Sequence, residues 1–280
     1  MTQANNTSKR RSTVDVLFSP VDRLGKAGIT LWFAIADTTA FALAILSLTL
    51  RPNTWRRTVR QEFVRECYLS GVSALPIVGL LGLLVGAGLI AQSLNLLNFV
   101  GQSDLLGQFM AQIVFREITP ALIGLVIVGR SGSAVIAEIG TLLVNRQMKT
   151  LDSIGVDPVI YLILPRVLGM AVAAGGLAII FVTAAFFSGF AVAYMLGFDQ
   201  GNLLSSASDA AESISPLVYF TLVAKSLIIG FVVAVICCRQ ALAVTEVTDL
   251  PRILSRGFML SVFAVFVTSG LLSLIMGMVT

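Results

Sequence analysis

The sequence predicts an all-α integral membrane protein, with an N-terminal interfacial helix followed by five transmembrane helices. Of 280 residues, 56% are hydrophobic and only 12% are charged, about half the charged share of a soluble domain. The mean hydropathy is +0.92. The apolar residues also fall in runs that reach or exceed the roughly 20 residues of helix needed to cross a bilayer core.

Residues 1–26 read as a polar cytoplasmic tail. They carry Lys9, Arg10 and Arg11 but no apolar core or small-residue cleavage site of a secretory signal. Residues 27–66 form an expected interfacial or elbow region. Within it, residues 29–50 are apolar enough to span, yet both flanks are basic: Arg23 and Lys26 before, then Arg51, Arg56, Arg57, Arg60 and Arg65 after. A spanning helix would put one cluster on the outer face, against the positive-inside rule. Asp37 within the segment is also costly at the bilayer centre. The segment is therefore expected to lie along, or dip into, the inner leaflet.

Residues 67–280 form the expected transmembrane domain, with spans at about 70–97, 107–144, 158–198, 214–238 and 257–279. The second and third exceed one crossing and are expected to tilt or run past the bilayer. The connection at 145–158 holds Arg146 and Lys149, and that at 239–256 holds Arg239, Arg252 and Arg256. By contrast, 197–216 carries Asp199, Asp209 and Glu212 without a basic residue, and 98–106 carries only Asp104. This asymmetry places the first two connections, with the N-terminus, in the cytoplasm and Thr280 on the far side. Small residues at Gly82-xxx-Gly86 and Ser269-xxx-Ser273-xxx-Gly277 predict close helix packing.

Composition narrows the chemistry. The chain has no histidine, which removes the commonest general base and metal ligand. Cys67, Cys237 and Cys238 show no ligand spacing and read as small apolar fillers. No Gly-x-x-x-x-Gly-Lys-Ser/Thr loop occurs, so ATP binding of the P-loop kind is not expected here. An intramembrane lipid-modifying enzyme would need a clustered nucleophile and base that the sequence does not offer. A proton-coupled secondary transporter would rely on Glu117 and Glu138 without a histidine relay, and stands as the alternative transport reading.

Charges inside the spans each call for a partner or a cavity. Arg116 and Glu117 open the second span, and Arg130 and Glu138 lie deeper, eight residues apart and near one face. Arg166 sits early in the third span. Lys225, in the fourth, has no charged neighbour in sequence and is expected to face a polar cavity. Between the second and third spans, Met148, Leu151 and Ile154 recur at helical spacing opposite Arg146, Lys149 and Asp152. This predicts a short amphipathic helix ended by Gly155, with Asp157-Pro158 capping the next. Docking a soluble partner and lying on headgroups fit that pattern equally.

The run Arg116-Glu117-Ile118-Thr119-Pro120, then Gly129-Arg-Ser-Gly-Ser-Ala134, Ala137-Glu138-Ile139-Gly140, Gly155-Val-Asp-Pro158 and Pro165-Arg166 resembles the MlaE/YrbE permease family. The resemblance implies the membrane subunit of an ATP-binding-cassette transporter of phospholipids in a bacterial inner membrane. Such a subunit works as a homodimer in intermembrane lipid trafficking and outer-membrane lipid asymmetry. It implies two separate ATPase subunits, which bind ATP and Mg, docked on 145–157. It further implies an MCE-domain protein on the periplasmic side and, in many cases, a STAS-domain protein. No cofactor and no nucleic acid are expected on this chain. The implied coupling residues are Arg146, Gln147, Lys149, Thr150, Leu151, Asp152, Ile154, Gly155 and Asp157; Leu89, Gln92, Leu96 and Lys225 are the implied lipid contacts. Two departures stand out. Members often carry Glu-Gln where this chain has Arg146-Gln147, and some carry Asp in the last span where the nearest register gives Thr268.

Overall fold

The computed structural model describes residues 36–51, 54–100, 114–195 and 216–279. The chain divides into two compact units, Met1–Ser47 and Leu48–Thr280. The first contributes most of α1, Ala36–Thr49, an apolar helix whose described length is short of a bilayer crossing. Its hydroxyls turn back on their own helix, Thr39 to the Ala36 carbonyl and Ser47 to that of Ala44, each at 2.8 Å.

In the second unit, five stretches are long and apolar enough to cross a membrane: Arg57–Leu89, Arg116–Val144, Val159–Gly189, Val218–Ala241 and Leu250–Met276. No strand occurs among the described residues. The five expected spans are all present, and their ends move. The first begins at Arg57 rather than 70, because α2 (Arg57–Ser70) joins α3 (Leu75–Val100) through a 3-10 turn at Val72–Ala74. The expected boundary at 66/67 therefore falls inside a helix. Arg57, Arg60 and Arg65 mark a polar flank in sequence, but arginine is a good helix former and its long stem lets the charge reach the interface. The fifth span likewise starts earlier, as α9, Leu250–Val279. The acidic connection 197–216 and Asp104 fall outside the described residues, apart from Pro216 at the start of α8.

The second span is α4 (Thr119–Ile127) and α5 (Ser133–Val144), joined by a π-helical turn at Val128–Gly132 and preceded by another at Val114–Ile118. After the short helix α6, Gln147–Ser153, a third π turn at Val159–Ile163 leads into α7, Leu164–Met195. The fourth span is α8, Pro216–Ala241. α7 occupies the centre: Leu164, Val167, Met170, Ala174, Leu177 and Phe181 are all buried. The first and fifth spans are peripheral and expose rows such as Ile77, Leu80 and Leu84, or Phe263, Phe266 and Leu274. α3 packs chiefly against α7, and the Gly82-xxx-Gly86 pair explains how. A Cβ on Gly82 would stand 2.7 Å from the Phe181 carbonyl oxygen, and one on Gly86 only 2.1 Å from that of Ala185. Backbone meets backbone there, as small residues permit in lipid.

Candidate functional site

Three places carry the polar residues. The first is at the start of the second span. Lys225 of α8 is 2% exposed and donates to three oxygens: the Arg116 carbonyl at 2.7 Å, Glu117 Oε2 at 3.1 Å and Ser273 Oγ at 2.6 Å. An ammonium has three protons, so its donors are fully used. The π turn at Val114–Ile118 disturbs the local i→i+4 ladder and presents the Arg116 carbonyl. Ser273 passes its own proton to the Ser269 carbonyl at 2.8 Å. Three spans are thereby tied together. Glu117 remains 42% exposed along its side chain, so one end of the pair reaches out of the bundle.

The second place is nearer the other end of the second span. Arg166 Nη2 lies 2.9 Å from Glu138 Oε1; Arg166 is buried and Glu138 exposed. Beside them the first span contributes Glu66, buried, which accepts from Ser70 Oγ at 2.6 Å. Glu66 reaches this position because Gly169 of α7 has no side chain: a Cβ there would stand 2.8 Å from Glu66 Cβ. Arg130 and Glu138, eight residues apart near one face of the second span, have separate partners on other helices. Arg130 Nη2 donates to Ser73 Oγ of the first span, while Glu138 takes Arg166.

The third place is α6. Arg146 enters it in the left-handed region, at φ 57, the only non-glycine residue among those described with positive φ. Its carbonyl accepts from Lys149 and Thr150 N–H, at 3.1 and 3.2 Å. The helix ends on Gly155 at φ 79. Gly155 N–H donates to the Asp152 carbonyl and Val156 N–H to that of Leu151, both at 3.0 Å, the two crossed bonds of a Schellman closure. Asp157 Oδ1 then accepts from Val159 N–H at 2.9 Å, so Asp157 and Pro158 open the third span as their residue types predict. Met148 is buried and Leu151 half-buried, whereas Arg146, Gln147, Lys149, Thr150 and Asp152 are exposed and Ile154 is 68% exposed. Two of the three apolar residues face the bundle; Ile154 faces away.

These pieces lie in one chain order and one bundle, and that order is matched elsewhere. Residues 63–275, most of the chain, match the family described as Permease MlaE. The chain belongs to that family. Its similar proteins include a probable ABC transporter permease protein of Rickettsia conorii, 27% identical over 225 residues covering 80% of this chain and 84% of that protein. The intermembrane phospholipid transport system permease protein MlaE of Haemophilus influenzae is 32% identical over 151 residues, 52% of this chain and 58% of its own. The chloroplastic protein Trigalactosyldiacylglycerol 1 of Arabidopsis thaliana is 29% identical over 201 residues, 68% of this chain and 53% of that one. This MlaE-family chain is a multi-pass permease of an ABC transporter.

For this permease, the expected lipid contacts separate. Leu89 is half-buried and Gln92 exposed; the side chain of Leu96 lies outside the described residues. Lys225 is enclosed, with Glu117 and Ser273 as the partners its sequence neighbourhood does not reveal. Thr268, the register position of the family's Asp, is not among its partners; Ser273, further along α9, is. Glu66, Ser70, Ser73 and Ser273 escape a reading based on charge pairs. Their signal was present: Glu66 and Ser70 stand four apart at the edge of an apolar run, and Ser273 is in a small-residue motif.

Proposed function

We propose that this chain is the membrane-spanning subunit of a transporter for phospholipids in a bacterial inner membrane. It acts as a homodimer driven by two separate ATPase subunits, with an MCE-domain protein on the periplasmic side and a STAS-domain protein accompanying the ATPase. Phospholipid is the substrate class named for the Haemophilus influenzae relative. The observation that carries the reading is α6. A helix of only seven residues is unstable alone, yet here its C-terminal end is closed at Gly155 and it is seated through Met148. Its exposed residues, with Ile154 outward, offer a rigid knob for an ATPase. In this reading the N-terminus and the 145–157 connection are cytoplasmic and Thr280 is periplasmic. Lipid moves along the apolar wall near Leu89 and Gln92, and ATP and Mg act on the partner.

Leu151→Asp would disturb the seat as well as the knob, so Ile154→Asp is the cleaner test. In the complex co-purified from native membranes, the variant is expected to keep its fold and oligomer but lose co-purifying ATPase or lipid-stimulated ATP hydrolysis. Unchanged coupling, or protease access to 145–157 from the outer face, would overturn the proposal. A secondary transporter would instead move lipid under a proton gradient with no ATPase present.

A further inference from the structure

Arg130 stands fourteen residues from Val144, the last residue of the second span. At 1.5 Å per residue that is about 21 Å from that end, inside a hydrocarbon core about 30 Å thick. A cation at that depth needs compensation. Arg130 is half-buried, and the two fully buried cations among the described residues have it: Lys225 lies against Glu117 and Arg166 against Glu138. Arg130 has no carboxylate among the described residues. Its Nη2 meets only the Ser73 hydroxyl, and its Nη1 is buried with no hydrogen-bond partner among them. A hydroxyl orients a guanidinium but cancels none of its charge.

The surroundings of Arg130 are open on one side. Ser73 and Gly129 are exposed, and nothing lies within 4 Å of where a Gly129 Cβ would be. The backbone is locally rebuilt as well, since Arg130 sits in the π turn Val128–Gly132, a feature that often marks functional positions. The first span breaks its own α-helix at the same place, in the 3-10 turn Val72–Ala74 that holds Ser73.

We propose that Arg130 and Ser73 form an intramembrane binding point for the phosphate group of a lipid. The inference rests on the reading of the chain as a phospholipid permease and adds to it the residue that compensates the headgroup's charge within the membrane. A guanidinium edge and an adjacent hydroxyl are matched donors for a phosphate oxygen, and the lipid's charge supplies what the bundle does not. A neutral headgroup would leave Arg130 as it is.

The test compares two lipids with identical acyl chains, dioleoyl phosphatidic acid and dioleoylglycerol, on the purified full-length chain in non-ionic detergent. Wild type is expected to retain the phosphate-bearing lipid about tenfold more tightly, the size of a charge-assisted hydrogen bond. Inorganic phosphate is expected not to displace it, and displacement would overturn a lipid-borne source. Arg130→Gln, which keeps an amide for Ser73, is expected to abolish the preference while leaving dioleoylglycerol binding unchanged; Arg130→Lys should keep most of it. If Arg130→Gln does not fold, Ser73→Ala decides, with a lowered preference expected. Equal binding of both lipids by wild type, or an unchanged preference in Arg130→Gln or Ser73→Ala, overturns the proposal and leaves the permease reading intact. Failure to bind either lipid would overturn the proposed phospholipid substrate on which it rests.

Discussion

The Lys225 cluster makes an asymmetric prediction, because its two charges are not equally buried. Lys225 is 2% exposed, whereas the Glu117 side chain is 42% exposed. Replacing Lys225 with Met removes three hydrogen bonds, each about 0.6 kcal/mol within a membrane protein, so close to 2 kcal/mol in all. The half-exposed carboxylate left behind can be solvated, and Ser273 keeps its bond to the Ser269 carbonyl. Glu117→Gln is the more conservative change in shape but the harsher one in charge. It leaves an ammonium enclosed among neutral oxygens, the situation that costs roughly 3–5 kcal/mol in buried pairs. Glu117→Gln should therefore lower the unfolding midpoint more than Lys225→Met does. The double variant should recover most of the difference, because no charge is left stranded. The assay is thermal or denaturant unfolding of the four proteins in one detergent. Lys225→Met costing as much as Glu117→Gln, or strictly additive effects, would refute the argument that the stranded lysine sets the penalty.

Two further outcomes follow from the backbone. Gly86→Ala forces a Cβ to 2.1 Å from the Ala185 carbonyl, whereas Gly88→Ala meets nothing within 4 Å; the first should cost about 2 kcal/mol or more, in the range of overpacking, and the second should be nearly silent, as read by unfolding midpoints. Gly155→Ala places a side chain at φ 79, a strain of about 1–2 kcal/mol; protease nicking near 153–157 should accelerate while the spans stay folded.

The elements were legible because their causes are local. Apolar run length located five spans, and Gly155, Asp157 and Pro158 announced the end of α6 and the start of α7 by residue type alone. Arg57–Ser70 was not legible as part of a span, since its arginines resemble a boundary when the helix they sit in is not known. Nor were the π turns: Val114–Ile118, Val128–Gly132 and Val159–Ile163 are displacements of hydrogen-bond register, which composition does not encode. The charges were visible one by one, but their pairing depends on which helices touch. Spacing put Arg130 and Glu138 near one face, and packing gave each a partner on a different helix.

That redistribution has a mechanical consequence. The second span is held at three levels by three different neighbours: Glu117 to Lys225 of the fourth span, Arg130 to Ser73 of the first, and Glu138 to Arg166 of the third. α6 follows directly on α5, with Asn145 and the left-handed Arg146 between them. A push on α6 thus arrives at a helix whose nearest fixed point is Glu138, on the exposed side of an ion pair with a buried arginine. The weakest of the three ties is the middle one, a hydroxyl contact to an uncompensated cation beside a broken first span. Displacement of the second span would therefore be taken up first between Arg130 and Ser73, where the first span already lacks a continuous α-helix to resist it.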